Sequence, residues 1–433
     1  MTKIGKRERF GSEERSLLGE ALEAQDLWPY VYGNDRRHFI GDAEDALRAY
    51  FGAKTDEDPP FVVPTCSGTS SIQVALGGLR IPAGSEVILP PITDIGTVMP
   101  IIFQNAIPVF ADVDPTSGLL TPETVEAAIT ERTSAVLVVH LSGTPADVPK
   151  IMQVCEPKGI KVIEDVAQGL GASLDGIPLG TLGHAGCFSL NSQKHITAGE
   201  GGFVLTNDKD DYFRCHNFSD KHRNRFRSPS PEHAIYNGVG LSLRMSELQG
   251  AMILAQLPKL DGIASTRNEF GTTLDDMLKD LPGVVPQSHS MGAYPTFFFH
   301  MFSLDFDIDR DTKRAIISSV NNQVGAELDI RFGGSYSYGN VPIYKYPVFE
   351  NKNFFDLDAT GSSQVWPAEL VARMIDPKLT ANHYDYRKVS CPNAETYLQR
   401  SFSTWNDERH GNKEAMIVAK AIEKALGDSG LLN

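Results

Sequence analysis

The chain has 433 residues, with 40 lysines and arginines against 55 aspartates and glutamates and a formal net charge of -15. That acidic balance argues against nonspecific binding to nucleic acid or anionic membrane, and no apolar run approaches the ~20 residues that a spanning helix needs. The opening Met1-Thr-Lys-Ile-Gly-Lys-Arg-Glu-Arg-Phe10 has charge but no following apolar block, so it does not read as a secretory signal.

Five scattered cysteines, Cys66, Cys155, Cys187, Cys215 and Cys391, show no CxxC spacing. They read as reduced thiols of a cytoplasmic protein without a metal site. The length exceeds what one core usually covers. The expected organisation is an N-terminal helical segment over 1–60, an α/β unit over 61–257 and a smaller C-terminal α+β unit over 258–433.

Residues 12–25 carry a helical pattern in Leu17, Leu18, Ala21 and Leu22, and a second helix is predicted over Ala43 to Phe51. Both are expected to pack on the main body or on a partner. After the polar break Thr55-Asp-Glu-Asp-Pro-Pro60, short β-branched runs begin at Phe61, Glu86, Pro108, Ala135 and Lys161. Helical stretches near 69–79, 122–130 and 147–157 separate several of them. This alternation predicts an α/β fold with a largely parallel sheet covered on both faces, and ligands at the carboxyl ends of its strands.

The first strand turns at Ser67-Gly68 and enters a helix through Thr69, Ser70 and Ser71. Free amides at a helix N-terminus bind phosphate, although capping by Ser67 or Thr69 explains the same residues without a ligand. The strand Val162-Ile-Glu-Asp165 ends in two acids. A carboxylate there can keep a pyridine nitrogen protonated and make the ring an electron sink, or it can cap the next turn. Lys194 lies between the apolar strand that begins at Cys187 and the glycine-rich turn Gly199-Glu-Gly-Gly202. In such a walled position a desolvated amine can form a Schiff base; a lysine in a surface loop is the plainer reading.

Phosphate cradle, strand-end aspartate and walled lysine, in that order on an α/β scaffold, resemble the DegT/DnrJ/EryC1/StrS family of pyridoxal-phosphate enzymes, mostly sugar and cyclitol aminotransferases. The likeness is clearest from Ser67 to Gln256. It rests on Ser67-Gly-Thr69, Pro108-Val-Phe-Ala-Asp-Val-Asp114, Val139-His-Leu-Ser-Gly143, Glu164-Asp-Val-Ala-Gln168, Phe188-Ser189, Lys194, Gly199-Glu-Gly-Gly202 and Leu243-Arg-Met-Ser-Glu-Leu-Gln-Gly-Ala251.

The resemblance implies an aspartate-aminotransferase-like large unit (pyridoxal-phosphate fold type I) and a homodimer with shared active sites. It also implies that Lys194 links to the cofactor aldehyde and then shuttles a proton between the substrate α-carbon and the cofactor's C4′ carbon. Asp165 then pairs with the ring nitrogen, Gln168 contacts the ring or its phenolic oxygen, and Gly68, Thr69 and Ser189 hold the phosphate. The sequence departs from the family pattern twice. Asp94 stands where a stacking aromatic is usual, and Ser242 replaces an asparagine that reaches the partner's phosphate.

Lys194-His-Ile-Thr197 also looks like the sugar dehydratase branch, which has histidine in place of the lysine. Dehydration is therefore an alternative, and a regulatory protein that kept the fold without the chemistry is another. The basic run with Lys221, Arg223, Arg225 and Arg227 is a candidate for an anionic substrate group or a solvated loop. Arg244 reads as a structural ion pair. Farther on, helices are predicted over 265–278, 312–324 and 412–426, with a strand at 296–304. Tyr336, in the aromatic loop 331–340, is a candidate for the acceptor pocket, while His300 and His383 read as structural.

Overall fold

The computed structural model describes residues 4–5, 7–29, 37–55, 59–223, 238–334, 341–352, 354, 366–380 and 383–432. Nine strands fall in the first half: β1 (Phe61–Thr65), β2 (Glu86–Leu89), β3 (Ile107–Phe110), β4 (Thr133–Val139), β5 (Lys161–Asp165), β6 (Ser173–Leu174), β7 (Ile177–Pro178), β8 (Ala185–Ser189) and β9 (Gly202–Thr206). Seven of them form one sheet in the order β1-β9-β8-β5-β4-β2-β3. The run from β8 to β3 is parallel, and β9 enters antiparallel to both neighbours. Residues such as Val87, Ile88, Val136 and Leu137 are fully buried. Burial on both faces is why these strands read as continuous apolar runs instead of alternating ones.

Helices α1 (Ser12–Glu23), α2 (Phe39–Gly52), α3 (Gly68–Gly78) and α4 (Ile95–Phe103) precede or flank this sheet. Phe188 of β8 stacks on Phe203 of β9 at 4.3 Å, and Phe51 of α2 lies 5.4 Å from Phe188. Each such ring contributes about 1.5–3 kcal/mol by leaving water. They join the N-terminal helix to the layer that carries Lys194. The Phe39 amide at the head of α2 donates to Glu247 Oε2 at 2.7 Å, which ties this segment to the helix Glu247–Gln256. Helix α4, with Pro100 inside it, was not among the helices marked from the sequence.

The later strands are β10 (Val284–Pro286), β11 (Ala293–Tyr294), β12 (Phe299–Leu304), β13 (Arg331–Gly334) and β14 (Ser401–Trp405). An antiparallel sheet β10-β12-β14-β13 is covered by helices Leu260–Leu278, Arg310–Leu328 and Asn412–Asp428, each longer than its sequence pattern. Phe270, Phe302, Phe332, Phe402 and Ile422 build its separate core. Tyr344, Phe349 and Tyr386, by contrast, surround Phe110 in the core of the large sheet. His300 pairs with Asp275 at 2.7 Å, and His383 lies 3.3 Å from Arg132, so both make structural contacts.

Candidate active site

Strands β5 and β8 end at one side of a cleft of about 380 Å³, and α3, α4 and the loop carrying Lys194 complete it. Ser67 caps α3, its Oγ accepting from the Ser70 amide at 3.0 Å. Capping is thus real here, but it leaves the Gly68 and Thr69 amides outside the helical ladder at the positive end of the helix dipole. A Cβ on Gly68 would stand 2.7 Å from Ser189 Cβ. Glycine therefore allows the helix start and the end of β8 to meet, so that Gly68, Thr69 and Ser189 line one wall.

Side chains of β5 alternate between faces. Glu164 points away from the cleft, accepting from the Gly180 and Gly183 amides at 2.8 and 2.7 Å and lying 3.0 Å from His140 Nε2. Asp165 points in. Its Oδ1 accepts from the Ala167 amide at 3.0 Å and its Oδ2 from the Thr97 hydroxyl at 2.8 Å. Burial raises the Asp165 pKa, and those hydrogen bonds together with the Lys194 charge only partly offset the shift. In this setting the carboxylate favours a cationic partner.

Lys194 sits where the loop leaves β8, with Gly199 at φ +83 supplying the turn back toward β9. Its Nζ lies 4.4 Å from the Phe298 ring centroid. Desolvation lowers its pKa, while Asp165 and Asp94 pull it back upward. The neutral, nucleophilic amine is accordingly present at lower pH than on an ordinary lysine.

Asp94 also lines the cleft, but its Oδ1 caps α4 by accepting from the Gly96 amide at 2.7 Å. Gln168 reaches the cleft too, its Oε1 accepting from the Ser142 amide at 2.6 Å. Ser242 is exposed and lies outside the cleft of its own chain, bridged instead to Asp220. Arg223 is likewise not a cleft residue. The Arg223 amide donates to the Asp220 carbonyl at 2.9 Å. Arg225 and Tyr336 lie outside the described residues. Arg244 forms its ion pair with Asp220.

Sequence reading passed over Thr97, Phe298 and Trp405, all of which line the cleft. Only Thr97 had a local signal, three residues after the capping Asp94. Gln193, Phe298 and Trp405 are shared with a smaller neighbouring cavity of about 210 Å³ whose wall includes Arg7, Arg267, Arg331 and Arg409.

A desolvated amine coupled to a buried carboxylate, beside a helix start open to phosphate, suits a phosphorylated pyridine aldehyde. The carboxylate in want of a cation and the glycine cradle both fit pyridoxal phosphate, which places the protein among pyridoxal-phosphate-dependent enzymes. Residues 14–400 match the DegT/DnrJ/EryC1/StrS aminotransferase family. The chain is 34% identical over 317 residues, 71% of its length and 72% of the relative's, to L-glutamine:2-deoxy-scyllo-inosose aminotransferase of Streptomyces kanamyceticus. In fold it resembles 3-amino-5-hydroxybenzoic acid synthase, with TM-score 0.77, 24% identity and 99% of both chains covered. It also resembles NtdA of Bacillus subtilis with bound cofactor PMP, with TM-score 0.74, 19% identity, and 96% of this chain and 81% of that one covered. The protein belongs to the DegT/DnrJ/EryC1/StrS family and is a pyridoxal-phosphate-dependent aminotransferase.

Proposed function

We propose that this aminotransferase moves an amino group from glutamine or glutamate to a keto-cyclitol or keto-sugar, working as a cytoplasmic homodimer. The observation that carries the reading is the electrostatic coupling of Lys194 and Asp165 within one cleft. Pyridoxal phosphate, when bound, supplies an aldehyde for amine exchange and a ring that accepts electrons as the substrate α-proton leaves. In this reading Lys194 Nζ carries that proton between the substrate α-carbon and the cofactor's C4′. Asp165 holds the ring nitrogen charged, and Gln168 faces the ring. The Gly68 and Thr69 amides and the Ser189 hydroxyl take the phosphate. Asp94, committed to its cap, orients the start of α4 and so the Thr97 hydroxyl on Asp165.

Loss of the chemistry would remove the pressure to keep this pair, and an imidazole at position 194 would be expected of a dehydratase. The intact amine favours transamination. Support for the acceptor class comes from the cyclitol substrate named for the Streptomyces relative. For the dimer, Val239 and Leu241, beside exposed Ser242, are 87% and 50% exposed, an apolar edge suited to a partner subunit. A sedimentation mass equal to one chain would refute the dimer.

The arginine-lined cavity suits the donor's carboxylate. Its acids are already committed, since Arg409 pairs with Asp407 and Asp329 at 2.6 and 2.9 Å. Arg331 has no ion-pair partner among the described residues. Arg331→Gln should raise the donor KM about tenfold, the size of one lost charge-assisted hydrogen bond, and leave the acceptor KM in place. An unchanged donor KM would remove Arg331 from the assignment. The substrate class itself is tested by a panel of keto-cyclitols and nucleotide-linked keto-sugars, each with glutamine and glutamate, scored by keto-acid release. Turnover confined to keto acids would refute it.

A further inference from the structure

Lys194 sits on a stretch without helical or sheet hydrogen bonding between β8 and β9. Backbone carbonyls in such a stretch need partners from elsewhere. One side chain provides them. Arg9, from the N-terminal arm, donates through Nη1 to the Ser192 carbonyl, and through Nη2 to the Lys194 and His195 carbonyls at 2.5 and 2.7 Å. The guanidinium thus grips the main chain at the lysine and on both sides of it.

Arg9 is itself held in place. Its carbonyl accepts from Gln256 Nε2 at 2.9 Å, and its Nε lies 3.7 Å from Glu408 Oε1. Arg7, two residues earlier, makes a two-point pair with Glu408 at 2.9 and 2.5 Å. Just beyond, the Gly11 amide donates to Glu14 Oε2 at 2.7 Å. Glu408 follows β14, so the arm also ties the lysine loop to the antiparallel sheet. The Arg9 side chain is only 9% exposed. Water therefore competes poorly for these bonds, and a planar fork of five donors meets three carbonyls in a way that a single ammonium does not.

We propose that Arg9 is a positioning residue for Lys194: by fixing the carbonyls around it, the N-terminal arm aims Nζ into the cleft beside Phe298. The inference rests on Lys194 being the reactive amine. It predicts that freeing the loop lets the amine leave its desolvated place and titrate more like an ordinary lysine.

The test uses the full-length protein, with Arg9→Gln and Arg9→Lys beside wild type and Lys194→Ala. In cofactor-free protein, acetylation of Lys194 by acetic anhydride is followed by mass spectrometry across pH. Arg9→Gln should move the midpoint upward by about one pH unit, an amount equal to a tenfold change in the protonation equilibrium. Arg9→Lys, which keeps the charge but not the fork, should fall between. With cofactor loaded, kcat of Arg9→Gln should drop about a hundredfold, as expected when a reacting group is misplaced by ~1 Å. If the glutamine variant does not fold, the lysine variant alone decides, because an unshifted midpoint with wild-type kcat overturns the proposal. Wild-type midpoint and kcat in both variants, beside an inactive Lys194→Ala, would overturn the strap and leave the lysine assignment standing. An active Lys194→Ala would overturn both.

Discussion

Lys194→Ala should yield a folded protein whose turnover is reduced by at least about a thousandfold, the middle of the range for losing a positioned proton-transfer group. The fold should survive because the lysine side chain faces the cleft, where it meets the Phe298 ring and the charges of Asp165 and Asp94. Truncation therefore removes little packing. The loss falls on chemistry, since among the described residues no other lysine lines the cleft. Borohydride reduction of the cofactor-loaded wild type should label the peptide carrying Lys194, and the alanine variant should take no label. Label on another lysine, or near-normal turnover in the variant, would defeat the assignment.

Asp165→Asn should separate stability from activity. In the cofactor-free protein the Asp165 pKa is raised, chiefly by burial. Between the ordinary carboxyl value and that raised value the folded state holds a proton that the unfolded state has released, so stability falls as pH rises through this window. Above it the full cost of the buried charge remains. Asparagine removes that cost and keeps the same contacts, accepting from the Ala167 amide and donating to the Thr97 hydroxyl. The cofactor-free variant should therefore melt at a higher temperature than wild type at neutral pH, with little difference at low pH.

With cofactor the order reverses. A hydrogen bond to a charged group is worth about 1.5–3 kcal/mol, so losing the ring-nitrogen pair should cost at least about ten- to a hundredfold in kcat. Cofactor affinity should fall with it. Melting curves of cofactor-free protein across pH, set beside kcat of the loaded enzyme, check both halves. A variant less stable than wild type at neutral pH, yet fully active, would show that Asp165 serves the fold and not the ring.

The main strands, the glycine turn at the start of α3, the strand-end Asp165 and the loop lysine were all legible in the sequence. Each depends on residues within a few positions of one another: apolar runs, a glycine beside hydroxyl caps, a carboxylate where a buried strand stops. Such patterns act through local backbone preference and burial, which the sequence states directly. The resemblance to a known family then connected them. Direction was harder to read. The basic run around Arg223 has the composition of an anion site, but charge alone does not say which way a side chain points, and Arg223 is not among the residues that line the cleft.

Tertiary structure alone decided which groups complete the site. Thr97 meets Asp165 across 68 residues, and Arg9 meets Lys194 across 185. Neither pairing leaves a periodic or turn signal, because each arises only when two finished elements pack. The same holds for Phe298 beside the amine and for the arginines of the adjoining cavity, which come from the N-terminal arm, the helix Leu260–Leu278, strand β13 and the turn after β14. Sequence by itself marked Lys194 and Asp165, the pair proposed to react, and the scaffold that carries them, through local pattern. Packing determined how the pair is desolvated, aimed and supplied with neighbours, because those properties belong to distances between segments remote along the chain.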